Sequence, residues 1–186
     1  MYKSFGKPLI DRFFASIGIV VLLPVFIIIS FLIFLDDGFP IIFKQLRVGK
    51  NAKGFYIYKF RTMIRNADKV GPLSTSNNDE RITNIGKFLR KTSLDELPQL
   101  FNVLNGTMSL IGYRPDVFRD NTDYNDLKYT LKPGITGYAQ VNGRSSLTSE
   151  QKLNWERKYV NDISFITDIK ILVKTVQVVI LKRGVN

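Results

Sequence analysis

The sequence predicts an α+β fold, mostly helical with a small β-hairpin, attached to a membrane through its N-terminal segment. Three observations lead there. Phe13 to Leu35 form an uncharged apolar run of 23 residues, the length of a membrane helix. Residues 40–46 (PIIFKQL) and 54–60 (GFYIYKF) are rich in β-branched and aromatic side chains and flank a Gly, Lys and Asn turn, as in a hairpin. Much of the remainder carries apolar residues at helical spacing.

The chain has 186 residues, 45% of them apolar, enough for a buried core in one domain with a small appendage. Lys and Arg total 27 against 16 Asp and Glu, a formal net charge of +11 that favours anionic partners: phosphorylated substrates, acidic headgroups or nucleic acid. Cysteine and histidine are both absent. Disulfides, thiol nucleophiles, imidazole bases and Cys or His metal sites are thereby excluded. Catalysis falls to carboxylates, Lys, Arg, Tyr or hydroxyls, with a hard cation such as Mg²⁺ held through oxygen.

In the apolar run, a straight helix would cross the bilayer, but Pro24 sits at its middle, where it removes a backbone donor and imposes a kink. Lys3, Lys7 and Arg12 precede the run, and Lys44, Arg47, Lys50 and Lys53 follow it. Positive charge on both flanks suits a segment whose ends return to one face. An ordinary spanning anchor that tolerates its proline fits these residues equally well. Asp36, Asp37 and Gly38 follow the run instead of a small-residue cleavage site, so signal-peptide removal is not expected.

After the hairpin, residues 66–81 hold Gly, Pro, Ser, Asn and Asp and read as a loop. Ile82 to Lys91 form a short basic amphipathic helix with Ile85, Phe88 and Leu89 on one face. Ser93 and Glu96 make a capping box for a helix carrying Leu97, Leu100, Phe101 and Leu104. MSLIG (108–112) reads as a buried strand, residues 116–131 as helical, and the glycine-punctuated PGITGYAQVNGR (133–144) as loop-like. Thr148 to Tyr159 form a polar amphipathic helix. Phe165 to Leu181 form an apolar one interrupted by Asp168, Lys170 and Lys174, too charged to span and suited to the membrane interface.

Asp95 and Glu96 are the first candidates for chemistry. They read as the acidic first turn of a capped helix. The same placement suits an ionised carboxylate poised to attack phosphorus, with its neighbour holding Mg²⁺. Lys59, Arg61, Arg90, Arg114 and Arg144 each lie beside turn-forming or glycine-rich sequence. Singly they are solvated charges, and together they suit a clamp on a diphosphate. Asp168 either pairs with Lys170 or Lys174 at the surface or faces inward as a metal or orienting group.

With these residues in view, the chain resembles the bacterial sugar transferase family, the monotopic polyprenyl-phosphate phosphoglycosyl transferases. The resemblance rests on FKQLRVG (43–49), YKFRTM (58–63), SLDELPQLFNVLNGTMSLIG (93–112), Arg114-Pro115, PGITGYAQVNGR (133–144) and DIKIL (168–172), in order over nearly the whole chain. It implies transfer of a sugar-1-phosphate from a UDP-sugar to a polyprenyl (undecaprenyl) phosphate with release of UMP, dependent on Mg²⁺. It makes Asp95 the nucleophile of a ping-pong reaction through a phosphosugar-enzyme intermediate, and Glu96 the residue tied to the metal. It associates Lys59, Arg90, Arg114 and Asp168 with the active site. It also implies a re-entrant membrane helix broken at Pro24 over residues 1–36, and a catalytic domain over 37–186 seated on the cytoplasmic face of a bacterial inner membrane. The bilayer is then a partner, alongside a second copy or downstream glycosyltransferases. Tyr113 stands where the family usually has Pro, Tyr138 replaces a frequent Trp, and Gly38-Phe39-Pro40 departs from a usual Gly-Pro pair.

Two other readings compete. A membrane-tethered adaptor binding anions or nucleic acid matches the charge, but the aromatics form no stacking ladder among the basic residues and no nucleic-acid motif is present. A bitopic enzyme acting outside the cytoplasm requires the spanning form of the first helix. The sugar, the glycan pathway, the oligomeric state and the residues touching uracil are not legible.

Overall fold

A computed structural model describes residues 2–71, 79–120, 122–143 and 146–180. The fold is mostly helical with a small antiparallel hairpin, as expected. A wide turn at Tyr2–Gly6 leads into α1 (Lys7–Val21), followed by α2 (Leu23–Asp37). The two helices are bent by 62°. The break falls at Leu22 (φ −89°, ψ 3°), just before Pro24 in the first turn of α2. A proline there has no N–H to give back and is tolerated in a first helical turn, so the chain restarts its helix at that point. Among the described residues no single helix is long and apolar enough to cross a membrane; this bent pair passes only when its halves are taken together.

The hairpin consists of β1 (Ile42–Val48) and β2 (Gly54–Phe60), in register from Ile42 opposite Phe60 to Val48 opposite Gly54. Its connection turns through Asn51 and Ala52, both at positive φ. Phe55 and Ile57 from β2 pack with Ala15 of α1 and with Leu100, Val103 and Met108, so the sheet rests on the first helix.

The loop expected at 66–81 includes a short helix, α3 (Ala67–Val70); residues 72–78 lie outside the described residues. α4 (Asn84–Thr92) begins where the Thr83 side chain accepts the Gly86 N–H at 3.0 Å. Leu89 and Ile85 face inward as read, while Phe88 stays exposed. Gly86 is needed for close packing: a Cβ there would stand 2.1 Å from the Thr62 carbonyl oxygen.

The expected capping box at Ser93 is absent. Ser93 adopts a left-handed conformation (φ 58°) and ends α4, its N–H bonding the Arg90 carbonyl at 3.2 Å. Leu94–Glu96 form one tight 3-10 turn, and α5 (Gln99–Leu104) starts only after Pro98. The box forms instead on a later helix, where Thr148 and Gln151 exchange bonds.

β3 (Ser109–Ile111) is buried as expected and pairs in parallel with β4 (Gly134–Thr136). The stretch read as loop-like thus contributes a strand and a short helix, α6 (Tyr138–Val141). Between them, residues 116–131 are not the expected helix; only Leu127–Thr130 turn, as 3-10. Side chains there claim the backbone. Asp123 accepts the Asn125 N–H at 2.9 Å, Asp126 accepts the Lys128 N–H at 2.9 Å, and the Tyr124 hydroxyl holds both the N–H and the carbonyl of Arg119. Such local bonds compete with helix formation. α7 (Ser149–Asp162) and α8 (Phe165–Ile180) close the chain, meeting at Ile163-Ser164. Ile171 of α8 and Tyr159 of α7 pack on Ile111 and Leu131.

Candidate active site

Three segments bring the charged residues together. β2 carries Lys59 near its end, the 3-10 turn carries Asp95 and Glu96, and Arg114 follows β3. Glu96 Oε1 accepts from Lys59 Nζ at 2.7 Å and from Arg114 Nη2 at 3.2 Å. Burial alone would raise the Glu96 carboxyl, but the two cations outweigh it and hold the pKa at about 2. Glu96 is therefore ionised at any working pH.

Asp95 is placed differently. It is buried, Lys59 Nζ stands 3.8 Å from its Oδ2, and no hydrogen bond to its carboxylate is made among the described residues. Burial raises its pKa above the ordinary aspartate value; Lys59, then Arg90 and Arg114, pull the other way, while Glu96 adds to the rise. No α-helix begins at this turn, so the positive helix end expected to keep Asp95 ionised is replaced by side-chain cations. A carboxylate beside a cation cluster but without a hydrogen bond among the described residues is suited to attack an electrophile that carries negative charge.

Arg114 is fixed through its backbone: its N–H donates to Glu156 Oε1 at 3.2 Å, and Glu156 Oε2 is paired with Lys128 at 2.8 Å. Its side chain is 59% exposed, so it can meet a ligand while bonded to Glu96. Tyr113, in the place of the family's proline, is buried: its ring packs edge-on against Tyr129 and its hydroxyl donates to the Val48 carbonyl at 3.2 Å. Arg90 Nε donates to Thr62 Oγ1 at 2.8 Å.

These groups line a cavity of about 2040 Å³, larger than one small ligand requires. Arg61 also lines it, but its Nη2 is taken by the carbonyls of Asp37 (2.9 Å) and Gly38 (2.7 Å), where it clasps the end of α2. Asp168 is not brought to this cavity. It faces inward, away from Lys170 and Lys174, and accepts from Lys7 Nζ (2.7 Å), Tyr2 OH (2.6 Å) and Tyr159 OH (2.6 Å). Arg144 lies outside the described residues.

Among the described residues no three candidate ligands cluster as a metal cage. Asp95 and Glu96 nevertheless offer two adjacent carboxylates, and Mg²⁺ is commonly held by one or two carboxylates with substrate phosphates and water completing the shell. The donor set therefore suits a cation shared with a phosphorylated ligand.

The sequence placed Arg47 in the family motif FKQLRVG without giving it a part in the site, and it missed Gln99. Arg47 lines the cavity and donates to Gln45 Oε1 (2.5 Å) and the Pro115 carbonyl (3.2 Å). The hairpin register was the available signal: Phe43 faces Lys59, so Gln45 and Arg47 share Lys59's face by the period of two. Gln99 is fully buried beside Glu96, Lys59 and Arg114, and nothing in its sequence context distinguished it from a helix-surface residue.

The family described as bacterial sugar transferase matches residues 2–182. The chain belongs to that family. It is 43% identical over 155 residues to the uncharacterized sugar transferase EpsL of Bacillus subtilis, covering 82% of this chain and 76% of that protein. Over 163 residues it is 42% identical to the galactosyl transferase CpsE of Streptococcus agalactiae, covering 80% of this chain and 36% of that one. Over 183 residues it is 38% identical to the UDP-glucose:undecaprenyl-phosphate glucose-1-phosphate transferase of Klebsiella pneumoniae, covering 91% of this chain and 39% of that one. This sugar transferase thus spans little more than a third of the length of the latter two relatives.

Proposed function

We propose that this bacterial sugar transferase moves a sugar-1-phosphate from a UDP-sugar to a polyprenyl phosphate, yielding polyprenyl-diphosphate-sugar and UMP, as the first membrane step of a glycoconjugate pathway. The names of the Klebsiella relative and of the 43% identical undecaprenyl-phosphate galactose phosphotransferase of Salmonella typhimurium support the reaction. The observation that carries the mechanism is the contrast between neighbours: Glu96 Oε1 held by two cations, with Oε2 left for a metal ion, and Asp95 without a hydrogen-bond partner among the described residues, both lining the same cavity.

In the first half-reaction an Asp95 Oδ bonds to the sugar-bearing phosphorus, and the bond from that phosphorus to the bridging oxygen breaks. The electron pair leaves on that oxygen with UMP. In the second half-reaction a phosphate oxygen of the polyprenyl phosphate bonds to the same phosphorus, and the Asp95 oxygen departs as carboxylate. One phosphate-binding site serves both halves, as a ping-pong reaction requires. Arg114 and Arg90 hold phosphate oxygens, and Lys59 keeps both carboxylates ionised and oriented. Asp95 and Glu96 would hold Mg²⁺, which would offset the charge between the anionic nucleophile and the diphosphate.

The lipid acceptor calls for a site at the membrane interface. The bend between α1 and α2, the exposed apolar residues Phe13, Val20, Ile27 and Phe31 on those helices, and Ile166, Ile169 and Val173 on α8 support a re-entrant hairpin and an interfacial helix on the cytoplasmic face of the inner membrane.

The deciding experiment supplies a panel of UDP-sugars with polyprenyl phosphate and Mg²⁺ and measures UMP. Asp95→Asn is expected to abolish UMP release while membrane association persists, and mass analysis of the wild type is expected to find a phosphosugar adduct on Asp95. Appreciable turnover by Asp95→Asn would remove the nucleophile from this scheme.

A further inference from the structure

Glu156 lies on α7, is 6% exposed and commits both its oxygens within the protein. Oε1 accepts the backbone N–H of Arg114 at 3.2 Å, and Oε2 accepts from Lys128 Nζ at 2.8 Å. Lys128 is itself buried. Its ammonium also pairs with Asp116 Oδ2 at 2.7 Å and lies 5.7 Å and 5.1 Å from the ring centres of Tyr113 and Tyr129. The Tyr129 hydroxyl donates to the same Asp116 oxygen at 2.9 Å. One ammonium thus ties α7 to both sides of the Arg114-Pro115 step, to Tyr113 before it and Asp116 after it. Glu156, Lys128 and Tyr129 all lie outside the segments that carry the family resemblance.

The peptide plane before Arg114 is held at both ends: the Tyr113 carbonyl accepts the Gly134 N–H at 2.8 Å, and the Arg114 N–H goes to Glu156. Pro115 restricts the Arg114 backbone to extended conformations, and the Pro115 carbonyl accepts from Arg47 Nη1 at 3.2 Å. The guanidinium, by contrast, makes one bond among the described residues, to Glu96 at 3.2 Å. The root of the side chain therefore decides where its head can reach. We infer that Glu156 is a positioning residue for the transfer: acting from α7, it sets the place from which Arg114 meets the phosphate. The inference rests on the transferase reading above. Glu156 acts through Arg114 and not on the substrate, because each of its oxygens already serves a protein donor. The two donors call for a carboxylate. An amide has one acceptor oxygen, and the charged Lys128 would take it. The amide NH₂ would then face the Arg114 N–H, donor against donor, and push the backbone of Arg114 away.

The test measures kcat and KM for UMP release, with the UDP-sugar that the wild type uses best, and the melting temperature of each protein. Wild type is compared with Glu156→Gln and with two double variants, Lys128→Met with Glu156→Gln and Lys128→Met with Glu156→Met. In Glu156→Gln kcat is expected to fall about 10- to 100-fold, the cost of a misplaced group at the reacting centre. KM is expected to stay within about 3-fold, because Arg114 keeps its charge beside the cavity and loses only its alignment. Removing the ammonium as well frees the amide oxygen for the Arg114 N–H, so the first double variant is expected to recover to within about 5-fold of the wild-type kcat, the two changes being non-additive. Asp116 keeps its bond from Tyr129 there, and neutral replacement of both members of a buried pair is tolerated better than loss of one. The second double variant makes the same change of charge without an acceptor, and its kcat stays low. A residue serving the fold alone would lower kcat in step with melting temperature and leave the two double variants alike. A wild-type kcat in Glu156→Gln, a loss carried by KM, equal kcat in the two double variants, or failure of the double variants to fold would each overturn the inference. If Glu156→Gln alone does not fold, the comparison between the double variants decides. If wild type releases no UMP from any UDP-sugar, the transferase reading fails and takes this inference with it.

Discussion

Asp95 and Glu96 are adjacent in the chain yet live in different electrostatic surroundings. Glu96 is a fixed anion between Lys59 and Arg114, and Asp95 is a buried base whose oxygens are not committed to a hydrogen bond. Replacing Lys59 by Met is expected to release the Glu96 carboxyl upward from about 2 toward its ordinary value of 4.5, observable by NMR titration of the carboxyl. The same variant is expected to lose UMP release by about 100-fold or more, as when a charge-stabilising donor is removed from a transition state. If the Glu96 titration does not move, Lys59 is not what holds it. In the sequence the acidic pair read as a helix start and a candidate for chemistry alike, and only the family resemblance gave its two members their roles. Its setting was not legible. Ser93 and Glu96 carry the letters of a capping box, but a cap is decided by backbone angles, and at Ser93 those angles end one helix instead of starting the next.

At the scale of elements, long periodic segments were read correctly and short ones were decided by tertiary contact. α7 and α8 follow from their apolar spacing. The strand pairing of β3 with β4 joins residues 25 apart in sequence, which no local pattern encodes. The segment 116–131 failed as a helix because Asp, Asn and Tyr side chains bond its backbone, a tendency its Asp and Asn content already signals. Asp126 ends that segment as an anchor, accepting from Arg157 Nε at 2.8 Å. Burial would raise its pKa, but the bonds from Arg157 and the Lys128 N–H outweigh this and hold it below 3.8. A folded-state pKa below the unfolded one contributes stability above the ordinary aspartate range, lost as pH falls through the lowered value. Asp126→Asn is therefore expected to flatten the acid side of the stability–pH curve. It should cost about 1 kcal/mol at neutral pH, a modest figure because Arg157 is half exposed. Denaturant unfolding between pH 2 and 7 checks both. On α4, Gly86→Ala would drive a methyl into the Thr62 carbonyl. About 1–3 kcal/mol of stability should be lost, with Arg90 pulled away from Thr62, measurable as a lowered melting temperature and weaker UMP binding.

For the whole molecule, the polar side of α1 is the joint between the N-terminal helix pair and the rest. Lys7 pairs with Asp168 at 2.7 Å, Asp11 accepts from Ser109 Oγ at 2.6 Å, and Tyr2 and Tyr159 complete the cluster around Asp168. Truncating one partner of a buried pair strands the other, so Asp168→Ala is expected to destabilise by about 3–5 kcal/mol. Lys7→Met combined with Asp168→Leu should recover much of that, by thermal unfolding in detergent. If Asp168→Ala melts like wild type, the cluster is not what joins these parts. Topology belongs to this scale as well. Because the chain has no cysteine, single cysteines placed near Lys3 and on the exposed side of α7 can be labelled without background. Equal labelling from the cytoplasmic side supports the re-entrant form, and opposite labelling overturns it.

The Lys7–Asp168 pair also dictates an order of events at the ribosome. Its members are 161 residues apart, so at roughly 5–20 residues per second the amine at the head of the first helix exists for about 8–32 seconds before its carboxylate has been synthesised. During that interval Asp11, four residues along the same helix and 3.8 Å away, is the partner already synthesised for that amine. On the re-entrant reading proposed above, the apolar pair of helices is complete long before the residues that clasp it, and a chain released too soon would present a greasy hairpin with α8 not yet made.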